Sequence, residues 1–149
     1  MNLDEALEGV TTLGIDTAPI IYFIEAHPAY DRLVTQVFRR IDEGALNGVT
    51  SVVALTEVLV HPIQEESTEL CEEYRNVLLQ SAHFQTLSID IALAERAAEL
   101  RVRYNLRTPD ALQIAAALSA GCEAFLTNDR TLKRVSELRI LLLDELEIV

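Results

Sequence analysis

Hydrophobic and polar positions follow two rhythms along this chain: short β-branched runs, and longer stretches with apolar residues every three to four positions. "TTLGIDT" reads as a first strand ending at Asp16. "PIIYFIEAHP" and "AYDRLVTQVFRRIDEG" follow as helices, interrupted at Pro28 and closed by Gly44; in the second, Leu33, Val37 and Ile41 recur at helical spacing. "LNGVTS" predicts a second strand. It leads into the helix "VVALTEVLVHP", which Pro62 is expected to end. "STELCEEYRNVLLQSA" opens on a Ser/Thr helix start and puts Leu70, Tyr74, Val77 and Leu78 on one face. "FQTLSI" is a third strand, and Asp90 caps the amphipathic helix "DIALAERAAELRVRY".

The stretch "NLRTPDALQIAAALSAG" carries the densest helix signals. Thr108 is the expected N-cap, Pro109 the first helical position, Asp110 a first-turn acid facing the helix dipole, and Gly121 the C-terminal stop. The strand "EAFLTND", a short helix "RTLKRVSEL" and a last strand "RILLLD" complete the chain. Strands alternating with helices predict a layered α/β domain with a largely parallel sheet, in which helices outweigh strands. With no repeat, low-complexity tract or linker, residues 1–149 read as a single domain, and residues 1–11 as a short N-terminal extension.

Composition narrows the setting. Half of the 149 residues (50%) are hydrophobic, enough for a sizeable core, yet no apolar run reaches the roughly 20 residues of a membrane span. The start "MNLDEALEGVTTLG" is acidic and unlike a signal peptide. Cys71 and Cys122 have no CxxC or Cys/His companions and read as buried thiols, so a soluble, cytoplasmic protein with no membrane association is expected. Twenty-four acids against 12 bases leave a net charge of −12, the opposite of a protein that holds nucleic acid by its overall field. The excess is either a solvated surface or is partly gathered in a cation-binding pocket.

Four acids favour the second possibility. In open parallel α/β sheets, functional residues gather where loops leave the carboxyl ends of strands. Asp16 ends the first strand, Asp129 ends "AFLTND", Asp110 opens a helix, and Glu57 interrupts the apolar series "SVVALTEVLV" just after the second strand. Each also has a structural reading. Asp16 and Asp129 are placed to cap helices, and Arg75 is a candidate partner for Glu57. Clustered together, four carboxylates would raise one another's pKa, a conflict that a hard cation such as Mg²⁺ or Mn²⁺ resolves. His27, His61 and His83 show no ligand spacing and read as helix-cap or surface residues; no Ser, Cys or His nucleophile stands out.

The ordered series "GIDTAPIIYFIE", "TSVVALTEVLV", "TPDALQIAAAL" and "AFLTNDRTLKRV" resembles the PIN domain, in the style of VapC-type toxins of toxin–antitoxin pairs, from about Leu13 to the last strand. The resemblance implies a three-layer α/β/α fold around a mainly parallel sheet of about five short strands. It also implies a Mg²⁺- or Mn²⁺-dependent endoribonuclease whose cleavage leaves a 5′-phosphate and a 3′-hydroxyl. Asp16, Glu57, Asp110 and Asp129 would be its catalytic acids and metal ligands. Thr127 and Asn128 would orient a ligand or a metal-bound water, or serve only the turn. Implied partners are an RNA substrate, a VapB-like antitoxin and a second copy of the chain.

An RNA substrate needs local positive charge. Arg101, Arg103 and Arg107 precede Asp110, while Arg130, Lys133 and Arg134 follow Asp129; Arg107, Arg130, Lys133 and Arg134 are the candidate RNA contacts, with a solvated helix face as the alternative. Two other functions keep the fold. One is an interaction module without nuclease activity, its acids capping helices or meeting a partner's arginines. The other is a free-standing PIN nuclease, suggested by the fifteen residues before Asp16. A Mg²⁺-dependent phosphatase or receiver domain fits poorly, since "GIDTAP" lacks the second Asp of a DxD signature and the only lysine, Lys133, lies in a predicted helix.

Overall fold

The computed structural model describes residues 1–148. Five strands, β1 (Thr12–Ile15), β2 (Asn47–Ser51), β3 (Phe84–Leu87), β4 (Ala124–Thr127) and β5 (Arg139–Leu142), form one all-parallel sheet in the order β3-β2-β1-β4-β5. The chain winds outward from β1 to β3, then crosses back past β1 and winds the other way through β4 and β5. The direction of winding therefore switches between β1 and β4.

Seven helices join the strands: α1 (Leu3–Ala6), α2 (Thr17–Ile24), α3 (Asp31–Asp42), α4 (Val52–Gln64), α5 (Thr68–Gln80), α6 (Ile91–Tyr104) and α7 (Thr108–Ser119). Strand alternation sends side chains into two cores. Leu13 and Ile15 of β1 and Leu126 of β4 join α2, α3, α4 and α5 on one face, while Val49 and Phe125 join α6 and α7 on the other. This is the expected three-layer α/β/α arrangement. Gly14 decides how close α7 lies to the sheet: a Cβ there would meet the Ala117 Cβ at 2.8 Å and Phe125 Cδ1 at 2.7 Å. Ala117, its neighbour on α7, is buried and small for the same reason.

Most helix starts follow the sequence signals. Ser67 accepts from Leu70 N at 3.3 Å and Asp90 from Leu93 N at 2.8 Å. Two boundaries differ from expectation. Pro62 does not end α4; it lies buried within the helix, which runs on to Gln64. The stop comes later, where Glu66 takes a left-handed φ of 55° and both Glu66 N and Ser67 N bond back, to Ile63 O (3.1 Å) and Pro62 O (2.9 Å). A proline removes one N–H and crowds the carbonyl four residues before it, and a helix that is packed on one side tolerates that cost near its end. Likewise the N-cap of α7 is Arg107 rather than Thr108, so Asp110 is the third helical residue. Pro109 costs nothing at the second position, because the first turn's N–H groups have no intrahelical acceptor. Gly121 stops α7 as expected, with φ 75°.

Residues 1–10 are firmly packed. Leu3, Ala6, Leu7 and Val10 are buried, Asn2 bridges Glu147, and Arg139 donates to Ala6 O and Glu8 O at 2.8 and 3.2 Å. Cys71 and Cys122 are free and buried, and burial pushes the Cys122 thiol up to about 12. Among the described residues no helix is long and apolar enough to cross a membrane.

Candidate functional site

The carboxyl ends of β1 and β4 open onto the place where the winding switches, the position at which open α/β sheets bind their ligands. Asp16 leaves β1 there. Its backbone N–H bonds Leu126 O of β4 at 2.9 Å, and its carboxylate caps α2 by accepting from Thr17 N at 2.8 Å. The other carboxylate oxygen accepts from Thr127 Oγ1 at 2.7 Å, and that same hydroxyl accepts from Asp129 N at 3.1 Å. Thr127 thus ties the loop after β4 to the acid after β1. Asp129 caps the 3-10 turn Arg130–Arg134 through Thr131 N at 2.9 Å.

Glu57 arrives from α4, on the exposed rim, and accepts from Thr17 Oγ1 at 2.6 Å. Arg75 is not its partner; that arginine pairs with Glu72 at 2.9 Å. Asp110 arrives from the first turn of α7 with 9% of its surface exposed, its carboxylate 3.3 Å from Arg107 Nε.

The four acids lie near enough to act on one another's charge, Asp16 with Asp110 and Glu57, and Asp110 with Asp129 and Glu57. Burial raises the pKa of Asp16; the bonds from Thr127 and Thr17 oppose the rise, and the charges of Asp110 and Glu57 add to it. Burial likewise raises Asp110, Arg107 opposes it, and the charges of Asp129 and Glu57 push it further. Two carboxylates held against this pressure are poised to take a counter-charge. Their donor atoms are hard oxygens, the preference of Mg²⁺ and Mn²⁺. Among the described residues no three His, Cys, Asp or Glu side chains come close enough to grip a metal by themselves. That arrangement still suits Mg²⁺, which keeps several waters and takes one or two carboxylates rather than a full protein cage.

Thr127 is fully buried and its hydroxyl serves the site as well as the turn. Asn128 donates weakly to the Tyr22 hydroxyl at 3.4 Å, and its Oδ1 is buried without a hydrogen-bond partner. The basic candidates divide. Arg107 keeps 76% of its side chain exposed beside Asp110. Lys133 and Arg130 both face Glu145, at 2.6 and 3.9 Å. Arg134 donates to Tyr104 O and Asn105 O at 3.1 and 3.3 Å, closing the end of α6. Arg101 bonds Leu106 O and Arg103 pairs with Glu137, so both are occupied away from the acids. The histidines stand apart too: His27 accepts from Ala29 N, His61 lies beside Glu65, and His83 sits against Ile41 O.

Three residues of the site escape a reading of the sequence: Ser51, Thr17 and Gln113. Ser51 caps α4, Thr17 opens α2, and Gln113 is buried on α7 at 3% exposure, bonded to both. A signal for Gln113 exists in "DALQIAAAL", where it is the one polar residue in an apolar run and lies one helical turn after Asp110.

The PIN-domain family model matches residues 14–138, a span that holds all four acids and leaves α1 outside. No curated protein matches the chain. Among solved structures, VapBC2 from Rickettsia felis bound to a DNA fragment from their promoter is similar at 16% identity and a TM-score of 0.69, covering 87% of this chain and 97% of that one. A toxin–antitoxin complex from Klebsiella pneumoniae is similar at 22% identity and a TM-score of 0.66, covering 89% and 97%. VapC20 of Mycobacterium tuberculosis, a sarcin–ricin-loop cleaving toxin, is similar at 16% identity and a TM-score of 0.65, covering 86% and 98%. At these identities the likeness is one of fold, and it extends over nearly the whole of each neighbour. Taken with the family match over residues 14–138, it leaves one conclusion: the chain belongs to the PIN-domain family.

Proposed function

We propose that this protein is a Mg²⁺- or Mn²⁺-dependent endoribonuclease and the toxin of a VapBC-type pair, acting in the cytoplasm. What supports the reading is that Asp16 and Asp110, at the winding switch, are raised by burial and by the charges of neighbouring acids, Glu57 and Asp129 among them. These four side chains would surround the cation, with one or two of them binding it directly. When bound, it supplies positive charge to phosphodiester oxygens and makes water more acidic. The chain's own residues prepare the site: Thr127 and Thr17 hold Asp16 and Glu57, and burial at the start of α7 keeps bulk water from Asp110. Of the basic candidates Arg107, Arg130, Lys133 and Arg134, Arg107 is best placed to meet an RNA phosphate, since its guanidinium is exposed at the rim.

Partners follow from the surface. An apolar groove between α2, α3 and α5, lined by Phe23, Phe38, Ile41, Val77 and Phe84, suits an amphipathic segment of a VapB-like antitoxin. The structural neighbours include toxin–antitoxin complexes, two of them bound to DNA. Val60 and Ile63 on α4 and Ile91 and Val102 on α6 are exposed apolar residues that a second copy would cover. The reading as an interaction module draws support from the lack of a ready-made three-acid grip among the described residues.

The deciding experiment is cleavage of a panel of structured and single-stranded RNAs by wild type and Asp110→Asn, with Mn²⁺, Mg²⁺ or EDTA, both proteins being checked by circular dichroism. Metal-dependent cutting that falls at least about a hundredfold in the folded variant is expected, the usual scale for losing one group of a catalytic unit. No cutting of any RNA, together with no Mn²⁺-induced rise in Tm, would leave the interaction module as the better account.

A further inference from the structure

Gln113, buried on α7, bonds to the starts of both α4 and α2. It projects from α7 one turn after Asp110, accepts a short hydrogen bond from Ser51 Oγ at the start of α4, and donates from Nε2 to Thr17 Oγ1 of α2 at 3.4 Å. Thr17 in turn donates to Glu57 Oε1 at 2.6 Å, and Ser51 Oγ accepts from Val53 N at 3.2 Å. A continuous line of hydrogen bonds therefore runs from Val53 N–H through Ser51, Gln113 and Thr17 to the Glu57 carboxylate.

The direction of that line is determined at its carboxylate end. A backbone N–H only donates, and a carboxylate only accepts. Thr17 gives its single proton to the Glu57 carboxylate and so accepts from Gln113 Nε2, which leaves Oε1 to receive the Ser51 proton. With the amide reversed, its oxygen would draw the Thr17 proton away from Glu57, and the Ser51 hydroxyl would be left between two donors. Only a side chain with an acceptor and a donor at that reach completes the line. Glutamate has the shape without the donor, and methionine has the length without either.

We infer that Gln113 is a positioning residue that sets the orientation of the Glu57 carboxylate through Thr17, presenting its free oxygen to the cation-binding space. Asn, Gln and hydroxyl partners that orient ligating groups commonly govern metal affinity by 10- to 100-fold. Gln113 is 3% exposed, Ser51 fully buried, and a buried amide left half-bonded is costly, so the line is also kept in one register. The cation part of this inference rests on the proposed nuclease reading; the orientation of Glu57 does not.

The test uses the full-length chain with Gln113→Met, Gln113→Glu and Thr17→Val, each also combined with Glu57→Gln. The first readout is the Glu57 side-chain carboxyl ¹³C resonance in metal-free protein, with Glu72 as a distant control. The second is the Mn²⁺ dissociation constant by calorimetry. The Glu57 signal is expected to move or broaden in all three variants while Glu72 stays put. Mn²⁺ binding should weaken about tenfold in Gln113→Met and Thr17→Val, with no further loss when either is added to Glu57→Gln. A Glu57 signal unchanged in both Gln113→Met and Thr17→Val overturns the inference, as does an equal Mn²⁺ loss in the Glu57→Gln background. If Gln113→Met fails to fold, Thr17→Val, half-buried and at a helix start, answers the same question. Wild type that binds no Mn²⁺ while the Glu57 signal still responds to Gln113 would remove the metal reading and leave the positioning role in place.

Discussion

Thr127 is fully buried at the end of β4, and its one hydroxyl serves two acids, donating to Asp16 and accepting from the Asp129 N–H. Thr127→Val keeps the shape and deletes both bonds. Asp16 would then face burial and the charges of Asp110 and Glu57 with only the Thr17 N–H to offset them. A hydrogen bond to a charged group is worth about 1.5–3 kcal/mol, and an unsatisfied buried N–H adds to the loss, so a destabilisation of about 2 kcal/mol is expected. Urea unfolding should show it as a lower midpoint at constant slope. A shift under about 0.5 kcal/mol would mean that water replaces the threonine in both roles. At this scale the sequence speaks clearly for acids and faintly for what supports them. Asp16, Glu57, Asp110 and Asp129 interrupt or end apolar runs, so they are visible as anomalies. Thr17, Ser51 and Thr127 sit at strand and helix ends where hydroxyl residues are common anyway, and their partners come from segments up to 111 residues away. Nothing in one chain's local pattern marks such a pairing.

Elements are easier to read than their ends. The strands, the caps at Ser67 and Asp90 and the stop at Gly121 follow from local chemistry, and local chemistry is what a sequence displays. Pro62 misleads because packing overrides it, and Thr108 because Pro109 fits the second helical position as well as the first. α4 continues past its proline because it packs on the sheet, and α7 starts one residue early because Arg107 already has extended backbone there, φ −72° and ψ 156°. The same logic governs how β1 is joined to β4 at its amino end. The Glu123 carboxylate accepts from Thr11 N, Thr11 Oγ1 and Thr12 N at 3.1, 2.8 and 2.9 Å, clamping the start of β1 beside that of β4. These bonds, that of Thr12 foremost, hold its pKa below the ordinary 4.5. A carboxyl lowered in the folded state stabilises above its unfolded pKa, and the stabilisation disappears as pH falls through the folded value. Glu123→Gln should therefore unfold at a lower Tm than wild type at pH 7, and the gap should close as the pH is lowered through and beneath the ordinary 4.5. A gap that stays constant across that range would assign the clamp to shape rather than charge.

Across the whole molecule the main tension is between a net charge of −12 and the RNA substrate that the proposed function requires. Self-repulsion alone would keep a polyanion away, so binding depends on a few cations being free at the site. Of the candidates near Asp129, Lys133 and Arg130 both face Glu145, which under the nuclease reading competes with an RNA phosphate; the Lys133 bond in particular lowers the Glu145 pKa. All three side chains are largely exposed, so the pairing is held weakly and competes with any stronger anion. Glu145→Gln should release both cations without touching the acids at the winding switch. Under the nuclease reading, single-stranded RNA should bind more tightly to this variant in fluorescence anisotropy. The effect should be largest at low salt, with the salt slope steeper by about 0.7 for each additional phosphate that the released cations neutralise. Done in the Asp110→Asn background without divalent metal, the measurement separates binding from cutting. An unchanged slope would show that this corner of the surface lies off the RNA path, leaving Arg107 beside Asp110 as the cation that meets the substrate. A steeper slope would place the strand between the α7 start and the 3-10 turn after β4, and would make Glu145 the residue that keeps an acidic protein from holding RNA indiscriminately.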